Sequence, residues 1–286
     1  MKIKTQYKII TLLCTVLLLT ACAGEEPLKE SQLDVSTPVK SDLDKWIDTN
    51  YLNIYNINVQ YKWNQNAVDN NRFLFPPLQP KVQPALEIVQ KIWLETYKNV
   101  AGPDFVKKIA PRELLLVGGI NLNTTGTITL GLAEGGLRIT LFETDNVNKR
   151  DRANVKRFLA TIQHEYIHIL NQTKPFDEKT LSKITPTGYT SNWYATPTSV
   201  AREEGFITDY ARSNINEDFA EMAAQMLINS KAEYAAILAG ITNQTAVANI
   251  KAKEAVVVKY FKDNFNIDFY KLRDEAEKNT NDVINN

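Results

Sequence analysis

His164-Glu165-Tyr166-Ile167-His168 is the stretch around which the rest of the chain is organised. In a helix, residues four apart lie on one face, one turn above each other. Two imidazoles so placed can close on one zinc ion. The glutamate beside the first histidine can reach a metal-bound water and act as general base. His164 and His168 are also the only histidines in 286 residues. The plainer alternative is two half-exposed histidines on an ordinary amphipathic helix. A chain so sparing with histidine that sets both at this spacing favours the metal.

The flanking sequence supplies the helix. Asp151 to Asn171 carries Val155, Phe158, Leu159, Ile162 and Ile169 at helical spacing, on the side away from the two histidines. A catalytic zinc site takes three protein ligands and leaves one position for water. With no histidine left, the third ligand must be a carboxylate. The candidates lie in Asn216-Glu217-Asp218-Phe219-Ala220-Glu221, where Phe219, Met222, Ala223 and Met226 form an apolar helical face. Glu217 and Glu221 are four apart and share a face. One can bind the metal while the other holds the far nitrogen of a liganding histidine. Acids that merely decorate a helix N-terminus are the alternative. Asp218 sits one residue off that face and is left out of the ligand set.

Upstream, Leu43 to Leu52 is expected to hold a short helix with Trp46 and Ile47. Ile57, Val59, Tyr61 and Trp63 alternate with polar residues, which predicts a strand with one buried face. Arg72 to Pro80 reads as a proline-rich loop, followed from Pro84 by a helix ending near Gly102-Pro103. Leu114 to Val117 predicts a buried parallel strand. Thr127–Leu130 and Leu137–Leu141 predict two strands around Gly135-Gly136. Thr173 to Val200 is long and aperiodic, with Tyr189, Trp193 and Tyr194, and is expected to wall a cleft. Its aromatics could line substrate pockets or plug the loop onto the body. Ala235 to Ala248 and Lys251 to Tyr260 are expected to be helical, and Asn279 to Asn286 a polar tail.

The order of strand, helix, three strands and active helix resembles that of the zincins, the zinc proteases with two histidines on one helix. The resemblance implies that the last strand before that helix lies at a sheet edge, where an extended peptide can pair with it. Leu137–Leu141 is the expected edge, with an internal hairpin strand as the alternative. Glu217-Asp218-Phe219-Ala220-Glu221 after the histidine helix resembles the gluzincin pattern, and in particular lethal-factor-type metallopeptidases. There the first glutamate binds zinc, and a tyrosine seven residues before it points at the site. By resemblance the ligands are His164, His168 and Glu217, Glu221 supports them, and Tyr210 donates a hydrogen bond to the oxyanion.

The N-terminus reads as a leader. Lys2, Lys4 and Lys8 precede an apolar stretch, Ile9 to Leu19, too short for a comfortable membrane span. Leu19-Thr20-Ala21-Cys22 resembles a bacterial lipobox, which implies cleavage and a lipid on Cys22; a plain signal peptide is the alternative. Cys14 would leave with the leader, so the processed chain has no disulfide and must rely on its core. Ala23-Gly24-Glu25-Glu26 resembles the acidic tags of surface-exposed lipoproteins in some Gram-negative groups. Together with the Trp46-Ile47 start and Tyr55 to Trp63, these motifs resemble the bacterial lipoprotein family of putative zinc-binding metallopeptidases over nearly all of the processed chain.

The expectation is therefore an α+β, zincin-like fold: a small mixed sheet with an active-site helix, followed by a mainly helical C-terminal subdomain. Residues 1–21 would be a signal peptide and 22–42 a lipid-anchored tether. Residues 43–286 would be the metallopeptidase domain, with subdomains 43–172 and 173–286. The expected cofactor is Zn2+, the substrate a peptide or protein, and the location the outer membrane of a bacterial envelope. Equal numbers of Lys+Arg and Asp+Glu, 33 each, speak against nucleic acid as a partner. The alternative function is a non-catalytic lipoprotein that keeps the zinc and binds peptide or glycan. A purely structural zinc prefers four closed ligands, usually with cysteine, and none remains after processing.

Overall fold

The structure, a computed structural model, describes residues 39–285. The expected signal peptide, Cys22 and most of the tether lie outside the described residues. Ser41–Asn286 forms one compact unit. No helix among the described residues is long and apolar enough to cross a membrane.

The unit opens with helix α1 (Asp42–Ile47), capped reciprocally by Ser41 and Asp44. It continues through a π turn (Asp48–Leu52) into α2 (Asn53–Tyr55). Strand β1 (Asn58–Gln60) is shorter than the sequence alternation implied. Ile57, Val59 and Tyr61 are buried as expected, whereas Trp63 is exposed. Helix α3 (Gln79–Val89) begins five residues before Pro84. Pro80 near its start fits the donor-free first turn, and Pro84 is absorbed inside the helix. A π turn (Gln90–Leu94), α4 (Glu95–Ala101) and α5 (Pro103–Ile109) complete the first helical layer.

Four strands form the main sheet in the order β1, β2 (Glu113–Leu116), β6 (Arg138–Leu141) and β5 (Gly131–Glu134). The first three are parallel, and β5 runs antiparallel to β6. A separate pair, β3 (Asn121–Leu122) and β4 (Ile128–Thr129), forms a two-stranded sheet. Two expectations are corrected here. Leu137–Leu141 is not the edge; it lies between β2 and β5. Its partner across the glycines is Gly131–Glu134 rather than Thr127–Leu130. Gly135 and Gly136 take positive φ, 58° and 71°, which turns the chain so that Gly131–Glu134 folds back along β6 and becomes the edge.

The active helix is α6 (Arg152–Thr173), capped by Asp151, whose carboxylate accepts from the Ala153 and Asn154 N–H groups at 2.9 and 3.2 Å. It is buried along most of its length. Behind the motif, Tyr166 packs edge-on against Trp93 and Tyr97, with centroids 5.0 and 4.9 Å away. Thus Tyr166 and Ile167 face the core, while His164, itself buried, and His168 turn toward Glu217.

The second half is helical: α7 (Glu178–Leu181), α8 (Thr198–Glu203), α9 (Ile215–Ile228), α10 (Lys231–Ala239), α11 (Gln244–Phe265) and α12 (Phe269–Asn285). Ala235 to Ala248 is not one helix, because Gly240 ends α10 and the Asn243 side chain caps α11. One apolar core runs from Ile47 through the sheet to Leu272, so the two halves share it. The fold is α+β, a small mixed sheet with a helical second half.

Candidate metal centre

Two helices bring the predicted residues together. On α6 the spacing of four places both imidazoles on one face. On α9 the Asn214 side chain caps the helix, accepting from the Asn216 and Glu217 N–H groups at 2.9 and 3.2 Å. That cap fixes the backbone of Glu217 in the first turn, where the helix dipole favours a carboxylate.

Glu217 Oε2 lies 2.8 Å from His164 Nε2 and 3.2 Å from His168 Nε2. The two Nε2 atoms are 3.0 Å apart. Glu221 meets the other side of the first ring, with Oε1 2.7 Å from His164 Nδ1. A carboxylate only accepts, so without metal His164 donates from Nδ1 to Glu221 and from Nε2 to Glu217, and a metal at the centre would take the place of the Nε2 hydrogen while Glu221 keeps that on Nδ1. Ligand atoms of His164, His168 and Glu217 all lie within 4.8 Å of one another. Two imidazole nitrogens and one carboxylate oxygen converging on one point are a donor set that fits zinc. Asp218, left out of the ligand set, is fully buried and faces away toward Lys253.

Electrostatics agree with the geometry. Burial works against the charged form of His164, but its hydrogen bonds to Glu217 and Glu221 together raise its pKa well above the ordinary value. Glu217 is held well below the carboxylate range: burial opposes this, and both histidines outweigh it. Without metal, the two carboxylates therefore favour the charged form of the His164 ring. Glu165 behaves differently. Burial pushes its pKa up, despite the two histidines and a hydrogen bond from the Ala133 backbone. Its shift is opposite in direction to that of Glu217.

Tyr210 stands over the same ring, its centroid 5.7 Å from that of His164. Burial first, then the carboxylates of Glu217, Glu165 and Glu221, keep its hydroxyl protonated. Trp193 packs edge-on against Tyr210 at 4.8 Å and against Tyr194 at 5.7 Å. The aromatics of the long segment divide in role. Trp193 reaches the centre through Tyr210 with Tyr194 packed on its far side, whereas Tyr189 plugs the segment down, donating to Asp218 at 2.8 Å.

Sequence reading missed three contributors. The Thr208 hydroxyl donates to Glu221 Oε2 at 2.7 Å, extending the chain from His164 outward. Gly131 on β5 lets the edge strand approach the active helix: a Cβ there would lie 2.3 Å from Thr161 Cγ2 and 3.1 Å from Glu165 Cγ. Ala133 supplies the N–H to Glu165. Thr208 stands two residues from Tyr210, and that proximity is the one clue to it in the sequence.

Residues 36–270 match the family described as "Putative zinc-binding metallo-peptidase". The chain is also similar to a protein of known structure, described as a putative zinc-binding metallo-peptidase from Bacteroides caccae ATCC 43185 and solved by crystallography at 2.10 Å resolution. The TM-score is 0.71 at 31% identity, covering 90% of this chain and 98% of that one. No curated protein matches the chain.

Proposed function

The chain belongs to the putative zinc-binding metallo-peptidase family, and from that premise we propose that it is a zinc-dependent peptidase, anchored to a bacterial outer membrane by a lipid on Cys22. The observation that carries the reading is the convergence of His164 Nε2, His168 Nε2 and a Glu217 oxygen beside the buried Glu165. Zinc held by these three residues supplies Lewis acidity to a water or carbonyl oxygen.

The remaining steps belong to the protein. Glu165, whose burial raises its pKa and so strengthens its carboxylate as a base, takes a proton from water as the water oxygen bonds to the peptide carbonyl carbon. The C–N bond then breaks, and Glu165 passes that proton to the leaving amine. The Ala133 N–H orients the carboxylate between the two transfers. Tyr210 donates to the carbonyl oxygen as it gains negative charge. Glu221 holds the His164 ring in the tautomer that leaves Nε2 free to bind metal. The β5 edge offers backbone groups to an extended substrate.

The test uses the processed protein, stripped of metal and reloaded with zinc, against a peptide library. Glu165→Gln should retain zinc and lose turnover by a factor of about 100 or more. Full turnover by that variant, or cleavage indifferent to zinc removal, would end the proposal. Membrane attachment is read separately: Cys22→Ser should move the protein from the membrane fraction to the soluble one.

A further inference from the structure

Beside His168 and Glu217 lies an open cleft of about 480 Å³. It is bounded by Ala133 of the edge strand, the end of α6 and the start of α9. Its chemistry is unusual for its position. Asn171, Gln172, Asn214 and Asn216 all line it, and the ionisable lining groups are the two metal-centre residues themselves.

Some of these amides are already used. Asn171 Oδ1 accepts from the Phe176 N–H at 3.0 Å, and its Nδ2 donates to Asn216 Oδ1 at 3.4 Å. Asn214 Oδ1 caps α9. What remains for a ligand is the Asn216 amide hydrogens and the Gln172 amide. Gln172 is exposed and makes no hydrogen bond among the described residues. Its Oε1 rests against the β5–β6 turn, where a Cβ on Gly136 would lie 2.8 Å away. Gln172 thus reaches from the active helix to the turn that follows the edge strand.

We propose that this cleft is a substrate subsite for a neutral, hydrogen-bonding stretch of peptide, rich in Asn, Gln, Ser or Thr, next to the bond that is cut. The inference rests on the hydrolytic reading of the centre. A charged side chain entering the cleft would meet no counter-charge beyond the metal centre. An apolar one would leave the amides unpaired. A carboxamide or hydroxyl side chain satisfies both conditions, because it donates and accepts as the lining does.

The test measures binding apart from cleavage. Fluorescein-labelled peptides on a common Gly-Ala frame carry Asn/Thr, Asp/Glu, Lys/Arg or Leu/Val residues. They are titrated by anisotropy against the zinc-loaded Glu165→Gln protein. The Asn/Thr peptides should bind about fivefold to tenfold tighter than the others, the worth of one or two matched hydrogen bonds. Gln172→Glu and Asn216→Asp keep side-chain shape and should shift the preference to Lys/Arg peptides by about tenfold. Equal binding of the four classes, or a ranking that the charge substitutions leave unchanged, overturns the subsite. Cleavage by the unsubstituted zinc protein is scored on the same peptides. Cleavage with a flat binding ranking removes the subsite and keeps the peptidase; the ranking without cleavage does the reverse.

Discussion

Glu217 and Glu221 are the same side chain four residues apart, and they differ because each meets a different nitrogen of His164. Glu217→Ala should therefore empty the site, while Glu221→Ala and Thr208→Val should weaken zinc binding by about 10–100-fold. Chelator competition and metal analysis read this out, and a larger loss in Glu221→Ala would exchange the two roles. The pKa directions give a second expectation. In the metal-free protein His164 is raised above its ordinary 6.5, so its stabilisation is full below that pH and is lost as pH climbs through the folded value. Glu217 is depressed below 4.5, so its contribution is present above that pH and is lost as pH falls through the folded value. Zinc must displace the His164 proton to bind. The gain in Tm from zinc should thus be larger at about pH 8 than at about pH 6, and the opposite order in paired melts with and without chelator would contradict it. The convergence of His164, His168 and Glu217 was legible because helical spacing is local. Thr208 was not, since a hydroxyl in a loop carries no periodicity.

At the scale of elements, the site depends on a close approach between β5 and α6. Gly131 has no Cβ where one would stand 2.3 Å from a methyl of Thr161, a branched side chain with little room to turn. Gly131→Ala should cost about 1–3 kcal/mol in urea unfolding and lower turnover by tilting the strand that supplies the Ala133 N–H. Unchanged stability and turnover would show that the strand can move aside freely. This arrangement also explains why the edge was misread. Leu137–Leu141 and Thr127–Leu130 both have the apolar, β-branched look of a strand, whereas Gly131-Leu132-Ala133-Glu134 does not. Pairing with β6 makes β5 a strand, and a pairing partner is not a local property. Similarly, Pro84 marked a helix start in sequence, yet α3 begins at Gln79 because Pro80 suits its first turn.

Across the whole molecule, helix α9, which carries Glu217, is locked to α11 by an ion pair with no solvent exposure, Asp218 Oδ2 to Lys253 Nζ at 2.7 Å. The ammonium also lies 3.7 Å above the Phe206 ring, and Tyr189 donates to the same carboxylate oxygen. One buried group thus gathers the segment carrying Trp193, the turn leading to Thr208, and the helix carrying Glu217. Nothing in the sequence joined Asp218 to Lys253, because a lysine on a helix ordinarily reads as a solvated residue. Burial raises the pKa of Asp218 and lowers that of Lys253, so each is drawn toward neutrality. The pair is also incompletely satisfied: Asp218 Oδ1 has no hydrogen-bond partner among the described residues. Such a pair adds less to stability than its removal by halves takes away. Lys253→Met should therefore destabilise the protein by about 3–5 kcal/mol, since it strands a buried carboxylate beside Glu217. Asp218→Asn combined with Lys253→Met removes both charges, leaves Tyr189 an acceptor, and should recover most of that loss together with zinc affinity. Urea unfolding and zinc titration of the single and double variants decide the matter. A double variant no better than Lys253→Met would mean that the lysine stabilises by packing against Phe206 rather than by answering Asp218.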